Sequence, residues 1–277
     1  MSPKRRSGAH TTAPPPDLAD VAYRRLAQAI ATCEIPAGAP LNEREVAARL
    51  GMSRTPLRAA LHRLSLEGLV ATVPQKGTHV APLDAQDIAD NMALRRALEV
   101  DMAHRVVEAG VDLDATVLDE LLAMQRHAIA HLDSPAFLRA DEQFHLYVLA
   151  AAGNRRALEA AQRSWLHVNR ARYTVPMTVT HMRAALRGHR DIAAALLQRS
   201  APRAEQAIRD HLDQPLRRQL RYLADHHPEA FSEPVFTVLV GDAPAARRAA
   251  VQRAREVQAP LLGAPPLSPR AAGGGVR

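Results

Sequence analysis

Aromatic side chains are scarce in this chain, at 3% of 277 residues with a single tryptophan, and cysteine occurs once. Strands draw on aromatic and β-branched residues, so a sequence poor in aromatics and rich in Ala, Leu and Arg is expected to be mainly α. The lone thiol, Cys33, has no internal disulfide partner. It sits among apolar residues of a helical stretch, which points to a reduced thiol in a core. Long hydrophobic runs are also missing: none approaches the roughly 18 residues of a spanning helix. The basic start MSPKRR leads into prolines rather than into the apolar segment of a secretory leader. A soluble, cytoplasmic protein with no membrane contact is therefore expected. What is present is 47% apolar content, enough to bury a core in one large domain or two ordinary ones.

The formal charge of +7 is unevenly spread. Residues 1–16, a Pro-rich stretch expected to be a disordered basic arm, carry Lys4, Arg5 and Arg6 without an acid. Residues 17–82 hold eight bases against six acids, residues 83–228 nineteen of each, and residues 229–277 six bases against four acids. The excess lies outside the long middle segment, and at the N-terminal end it suits a polyanion.

Within 17–82, Leu18, Val21, Ala22, Leu26, Ile30 and Cys33 recur at helical spacing until Pro36 and Gly38 end the run. In LNEREVAARLG, Asn42 is placed to cap a second helix, Glu45 to complete a capping box, Leu41 to staple onto Val46, and Gly51 to stop it. Ser53 is placed to cap a third helix running to Gly68, with Pro56 tolerated in its first turn. Two short helices parted only by Gly51 and Met52 make a helix-turn-helix, whose second helix enters the major groove of DNA. There Leu57, Leu61 and Leu64 form the inward stripe. Arg54, Thr55 and Arg58 point elsewhere, near the end where base edges are read and the helix dipole attracts phosphate. LVATV and THVAP are expected to pair around Pro74, Gln75, Lys76 and Gly77 as a wing with a basic tip. Arginines on a helix are usually just solvated; the conjunction of three capped helices, a basic face and a wing argues for DNA.

From Asp84 to about Pro228 the periodicity predicts six or seven helices, broken at Gly110, Ser134-Pro135, Gly153-Asn154, Pro176 and Ser200-Ala201-Pro202. In the helix from about Pro135 to Ala152, Asp141 and His145 share a stripe with Leu138, Val148, Leu149 and Ala152. A carboxylate and an imidazole aimed into a core are costly unless paired or bound to a metal. His127 and His131 have the same spacing but lie opposite the apolar face of their helix, so they are expected to be solvated. His189 and His211 face inward and lie 11 residues before and after Ser200, so an antiparallel pair hinged there sets them at one height. Asp141, His145, His189 and His211 can thus converge as a carboxylate and three neutral imidazoles. Such a set suits Zn²⁺, Ni²⁺ or Mn²⁺, and equally describes a satisfied polar network without metal.

The stretch LNEREVAARLGMSRTPLRAALHRLSLEGLV followed by PQKGTHV resembles the winged helix of the GntR family of bacterial transcription regulators. ALRRALEVDMAHRVVEAG, DEQFHLYVLAAAGN and GHRDIAAALLQRSAPRAEQAIRDHL resemble the all-helical effector domain of its FadR-like, or FCD, branch. The resemblance implies a winged helix-turn-helix joined to a helical bundle, a homodimer, and a double-stranded DNA operator as partner. It implies DNA contacts from Arg44, Ser53, Arg54, Thr55, Arg58, Lys76 and Gly77. It also implies a divalent metal held by Asp141, His145, His189 and His211, with a small carboxylate effector beside it and Arg95 as the effector's partner. The competing role for Arg95 is a surface ion pair with Glu99 one turn on. One departure is Pro215, four residues after His211, whose ring is expected to kink the helix and either tilt the site or leave three protein groups on the metal.

The resulting division is an arm (1–16), a DNA-binding domain (17–82), an effector domain (83–228) and a tail (229–277) that is expected to be partly disordered. In the tail, VFTVLVG reads as a strand, and Arg247, Arg248, Arg253 and Arg255 could add phosphate contacts. The expected function is a ligand-responsive transcriptional regulator rather than an enzyme. A metal-dependent hydrolase with an appended DNA-binding module is the alternative, since three histidines and a carboxylate can also activate water.

Overall fold

A computed structural model describes residues 17–231. The expectations for the basic arm and for nearly all of the tail, including its four arginines, lie outside the described residues.

The chain opens with α1 (Leu18–Ala31), capped by the Asp17 carboxylate and burying Ala22, Leu26, Ala27 and Ile30. The run ends earlier than its periodicity suggests. Thr32 closes the helix, and Cys33 takes a left-handed φ of 58° that turns the chain away. Cys33 is therefore half-buried beside a later helix rather than a core thiol. Asn42 caps α2 (Glu43–Leu50) by accepting from Arg44 N at 3.0 Å. The expected capping box is altered: the Glu45 carboxylate takes the Asn42 side-chain amide at 3.0 Å. Gly51, at φ 66°, stops the helix in a left-handed conformation that a residue with a Cβ rarely adopts. Ser53 occupies the N-cap of α3 (Arg54–Leu66), yet its side chain accepts no backbone bond, contrary to expectation.

The wing pairs β1 (Val70–Val73) with β2 (Gly77–Val80) antiparallel, in the register Val70 to Val80 and Val73 to Gly77. A bond from Leu41 N to Thr78 O, at 2.7 Å, stitches the chain before α2 onto β2. Leu26, Ile30, Leu57, Leu61, Leu64 and Val80 share one core.

Six helices follow: α4 (Ala85–Glu108), α5 (Ala115–Ala130), α6 (Ser134–Ala151), α7 (Arg155–Thr174), α8 (Val179–Leu197) and α9 (Ala201–His226). Asp84, Asp114, Asp133, Asn154 and Thr178 each accept backbone N–H groups at a helix start, which explains why the breaks were visible in the sequence. Their apolar faces meet in a core that includes Val106, Leu122, Phe137, Phe144, Ile192 and Ile208. Pro215 lies inside α9 without ending it, because Ile208 and Leu212 before it and Leu220 and Leu223 after it are buried. A last turn, Pro228–Ala230, brings Phe231 against the cluster of Ile88, Ala171, Val175 and Leu223, so packing continues slightly past 228. Among the described residues no helix is long and apolar enough to cross a membrane.

Candidate functional site

α6 presents Asp141 and His145, α8 presents His189 and α9 presents His211, and one potential ligand atom from each lies within 4.8 Å of the others. The first three are almost fully buried, and His211 borders a cavity. His145 Nε2 stands 3.1 Å from His189 Nε2 and 3.2 Å from His211 Nε2, while Asp141 Oδ1 is 3.5 Å from His189 Nε2.

The partners behind the rings decide what these contacts mean. His145 Nδ1 is 2.8 Å from a Glu99 carboxylate oxygen, and His189 Nδ1 is 2.6 Å from Gln125 Oε1. These acceptors favour the tautomers protonated on Nδ1, in which the His145 and His189 Nε2 lone pairs face each other at hydrogen-bond distance. A cation between such groups would satisfy both lone pairs. Protonation is a poor solution: burial, only partly offset by Asp141, pushes His189 down to about 3. Burial, reinforced by the neighbouring imidazoles, also places His211 well below the usual imidazole range. Burial would raise the Asp141 carboxyl, but Arg172 at 2.6 Å and the histidines hold it far below the carboxylate range. Glu99 is likewise held down to about 2, against burial, by Arg95 and His145. The donor set of three imidazoles and an ionised carboxylate therefore fits a borderline divalent ion.

The sequence did not reveal Gln125 and Arg172 as supports of the cluster, because polar residues on helices are usually solvated. Removing one partner of a buried pair such as Arg172–Asp141 costs about 3–5 kcal/mol. Gly188 was missed as well: a Cβ there would stand 2.5 Å from His211 Nδ1 and 3.2 Å from His211 Cβ. A glycine inside α8 was the available signal, since a mid-helix glycine usually marks close approach. Of the two outcomes expected from Pro215, loss of the fourth group does not occur: the His211 ring stays in the cluster.

A cavity of about 460 Å³ opens beside the cluster, lined by Asp141, His211, Arg95, Arg172, Arg218 and Gln219 among others. Arg95 does pair with Glu99 at 2.6 Å, but the pair is buried at 3% and 4% exposure, not at the surface. Its guanidinium lies 3.9 Å over the Trp165 ring, and its Nη2 has no hydrogen-bond partner. In the N-terminal module, Arg44, Ser53, Arg54, Thr55, Arg58, Lys76 and Gly77 are all exposed. Arg58 Nε rests 2.8 Å from the Glu43 carboxylate, bridging α3 to α2. His127 and His131 are exposed and outside the cluster.

The model of the bacterial regulatory proteins, gntR family, matches residues 18–80, and the FCD domain model matches residues 90–214. The HTH-type transcriptional regulator YdfH of Escherichia coli is 30% identical over 220 residues, covering 79% of this chain and 96% of its own. The HTH-type transcriptional repressor RspR of Escherichia coli is 30% identical over 211 residues, covering 76% of this chain and 92% of its own. The chain belongs to the GntR family. It is a DNA-binding transcriptional regulator with a GntR helix-turn-helix and an FCD effector domain. The solved structure of Escherichia coli McbR/YncC shares the fold, with a TM-score of 0.68 at 19% identity over 75% of this chain and 99% of that one. The hydrolase alternative finds no support among these relatives.

In this GntR regulator α7 touches both the cluster and the DNA-reading module. Arg172 holds Asp141, and two residues earlier Arg170 Nη2 donates to the carbonyls of Ala81 and Pro82, where the wing runs into α4. His167 Nδ1 lies 2.6 Å from Asp87 in the first turn of α4. Leu166 packs into the helix-turn-helix core, and Cys33 Sγ meets the Arg170 carbonyl at 3.5 Å. One rigid helix thus carries contacts to the cluster and to the linker.

Proposed function

We propose that this regulator reads an operator through α3 and the wing and senses a small organic acid beside a divalent metal in its FCD domain. The convergence of the cluster is the observation that carries the reading: His145 Nε2 stands 3.1 Å from His189 Nε2 and 3.2 Å from His211 Nε2, with Asp141 beside them. Asp141, His145, His189 and His211 would hold Zn²⁺, Ni²⁺ or Mn²⁺, and the bound ion would supply a Lewis-acidic position for a carboxylate. Arg95 Nη2, buried and without a partner, would meet that carboxylate. Arg54, Thr55 and Arg58 would face the major groove, Arg44 and Ser53 the phosphates near the helix N-termini, and Lys76 and Gly77 the backbone or minor groove at the wing. A homodimer would set two such heads on half-sites about 34–36 Å apart. The protein would act in the cytoplasm, where its operator is.

Coupling requires the acid to bind one arrangement of the heads more tightly than another. The path supported by contacts runs from Asp141 through Arg172 and α7 to Arg170 and the linker. The test is to select genomic fragments with the protein, then measure their affinity with and without lactate or succinate. Metal-loaded and chelator-stripped protein are compared. An acid-dependent shift seen only with the metal-loaded form supports the proposal; affinity indifferent to acids and metal alike contradicts it.

A further inference from the structure

Among the described residues, three polar atoms around the cavity are buried with neither a hydrogen-bond nor an ion-pair partner of their own: Arg95 Nη2, Arg218 Nε and Gln219 Oε1. Arg95 is fixed by Glu99 and Trp165 at the cluster end. Arg218 follows His211 by seven residues on α9, two helical turns or about 10 Å of rise. The cavity therefore carries a second cationic group, on α9, besides Arg95 on α4.

Arg218 is the unusual one. Arg95 and Arg172 each have a carboxylate of their own, in Glu99 and Asp141. Among the described residues Arg218 has no carboxylate within ion-pair distance, and its one hydrogen-bond contact is Met177 Sδ at 4.0 Å. Burial and the neighbouring charge of Arg172 act against its own charge. Asp191, Asp210 and Arg187 also line the cavity but are exposed, where water screens them. Gln219, at 1% exposure, adds an acceptor with no donor. A half-buried guanidinium without a counter-ion and a buried carbonyl without a donor are both costly. One ligand satisfies both if it brings an anion to Arg218 and a hydroxyl to Gln219.

We infer that the effector is a short dicarboxylate bearing a hydroxyl group: one carboxylate lies by Arg95 and the cluster, the second on Arg218, and the hydroxyl donates to Gln219. This rests on the small-acid reading above and adds a second anion subsite to it. A monocarboxylate fills one end and leaves Arg218 unpaired, so selectivity between acids resides in Arg218.

The experiment is calorimetric titration of the metal-loaded full chain with malate, succinate and lactate. The expected order is malate tightest, then succinate, with lactate at least tenfold weaker than succinate, the size of one lost charge-assisted contact. In Arg218→Gln both dicarboxylates fall to the level of lactate while lactate binding stays within about threefold, which also shows that the variant folds. In Gln219→Leu only the preference of malate over succinate disappears. Lactate binding as tightly as succinate in the unaltered chain, or Arg218→Gln weakening all three acids equally, overturns the inference. Binding of none of the three by a chain that carries its metal overturns the small-acid reading itself, and this inference with it.

Discussion

Gly188→Ala separates the fold of this protein from its site. A mid-helix glycine costs about 1 kcal/mol relative to alanine, so by propensity alone the substitution stabilises α8. The added Cβ, however, meets His211 Nδ1 at 2.5 Å, Cγ at 3.1 Å and Cβ at 3.2 Å. Turning the imidazole away relieves the two ring contacts but not the third, because the Cβ of His211 belongs to α9 and moves with its backbone. The ring must leave the cluster, or α8 and α9 must part by a few tenths of an ångström. Either shift costs positioning of a ligand, an effect of about 10- to 100-fold in metal affinity. Competition titration against a fluorescent zinc chelator measures that affinity, and urea unfolding of stripped protein measures stability. The expected result is zinc binding at least tenfold weaker, with metal-free stability within about 1 kcal/mol of the parent. Unchanged zinc affinity would refute the argument that close approach at Gly188 seats His211.

Acid should destabilise the metal-free protein through its buried imidazoles. An unfolded His189 takes up a proton near pH 6.5, whereas the folded residue does so only near 3. Between these values the unfolded chain binds a proton that the folded chain refuses, so stability falls with pH, by about 1.4 kcal/mol per unit for this residue alone. Urea midpoints at pH 7.5, 6.5 and 5.5 should show it, and His189→Gln should flatten the slope; equal slopes would contradict the assignment. Arg58→Ala should weaken binding to a selected operator by about 1–3 kcal/mol with a smaller loss on random DNA. An equal loss on both would make Arg58 a phosphate contact. Arg170→Ala, which frees the carbonyls of Ala81 and Pro82, should leave zinc affinity unchanged and diminish any acid-dependent change in DNA affinity. A full acid response in that variant would remove α7 from the coupling path.

Much of this architecture was legible because its signals are local. Asp84, Asp114, Asp133, Asn154 and Thr178 cap helices where the sequence places the breaks, and Gly51 stops α2 for a reason of backbone geometry. The cluster was legible because Asp141 and His145 interrupt an apolar stripe and because His189 and His211 are equidistant from the Ser200 hinge. The misreadings are cases where tertiary contacts override a local rule. Pro215 leaves all four groups together, because packing on both sides of it holds α9 in place despite one lost hydrogen bond. The Arg95–Glu99 spacing leaves an effector partner and a surface pair equally open, and only the fold shows the pair buried between Trp165 and His145. Gln125, Arg172 and Arg218 carry no one-dimensional signal, since nothing in a helical pattern tells a buried polar side chain from a solvated one.

The central claim, a divalent ion among Asp141, His145, His189 and His211, is tested by the metal content of untagged protein purified without chelator. Elemental mass spectrometry is run beside the His189→Ala, His211→Ala double variant. The account predicts about one divalent ion per chain, lost in the variant while its helical circular dichroism remains. Absence of metal from both proteins, even after incubation with Zn²⁺, Ni²⁺ or Mn²⁺, would contradict it and reduce the four residues to a polar network.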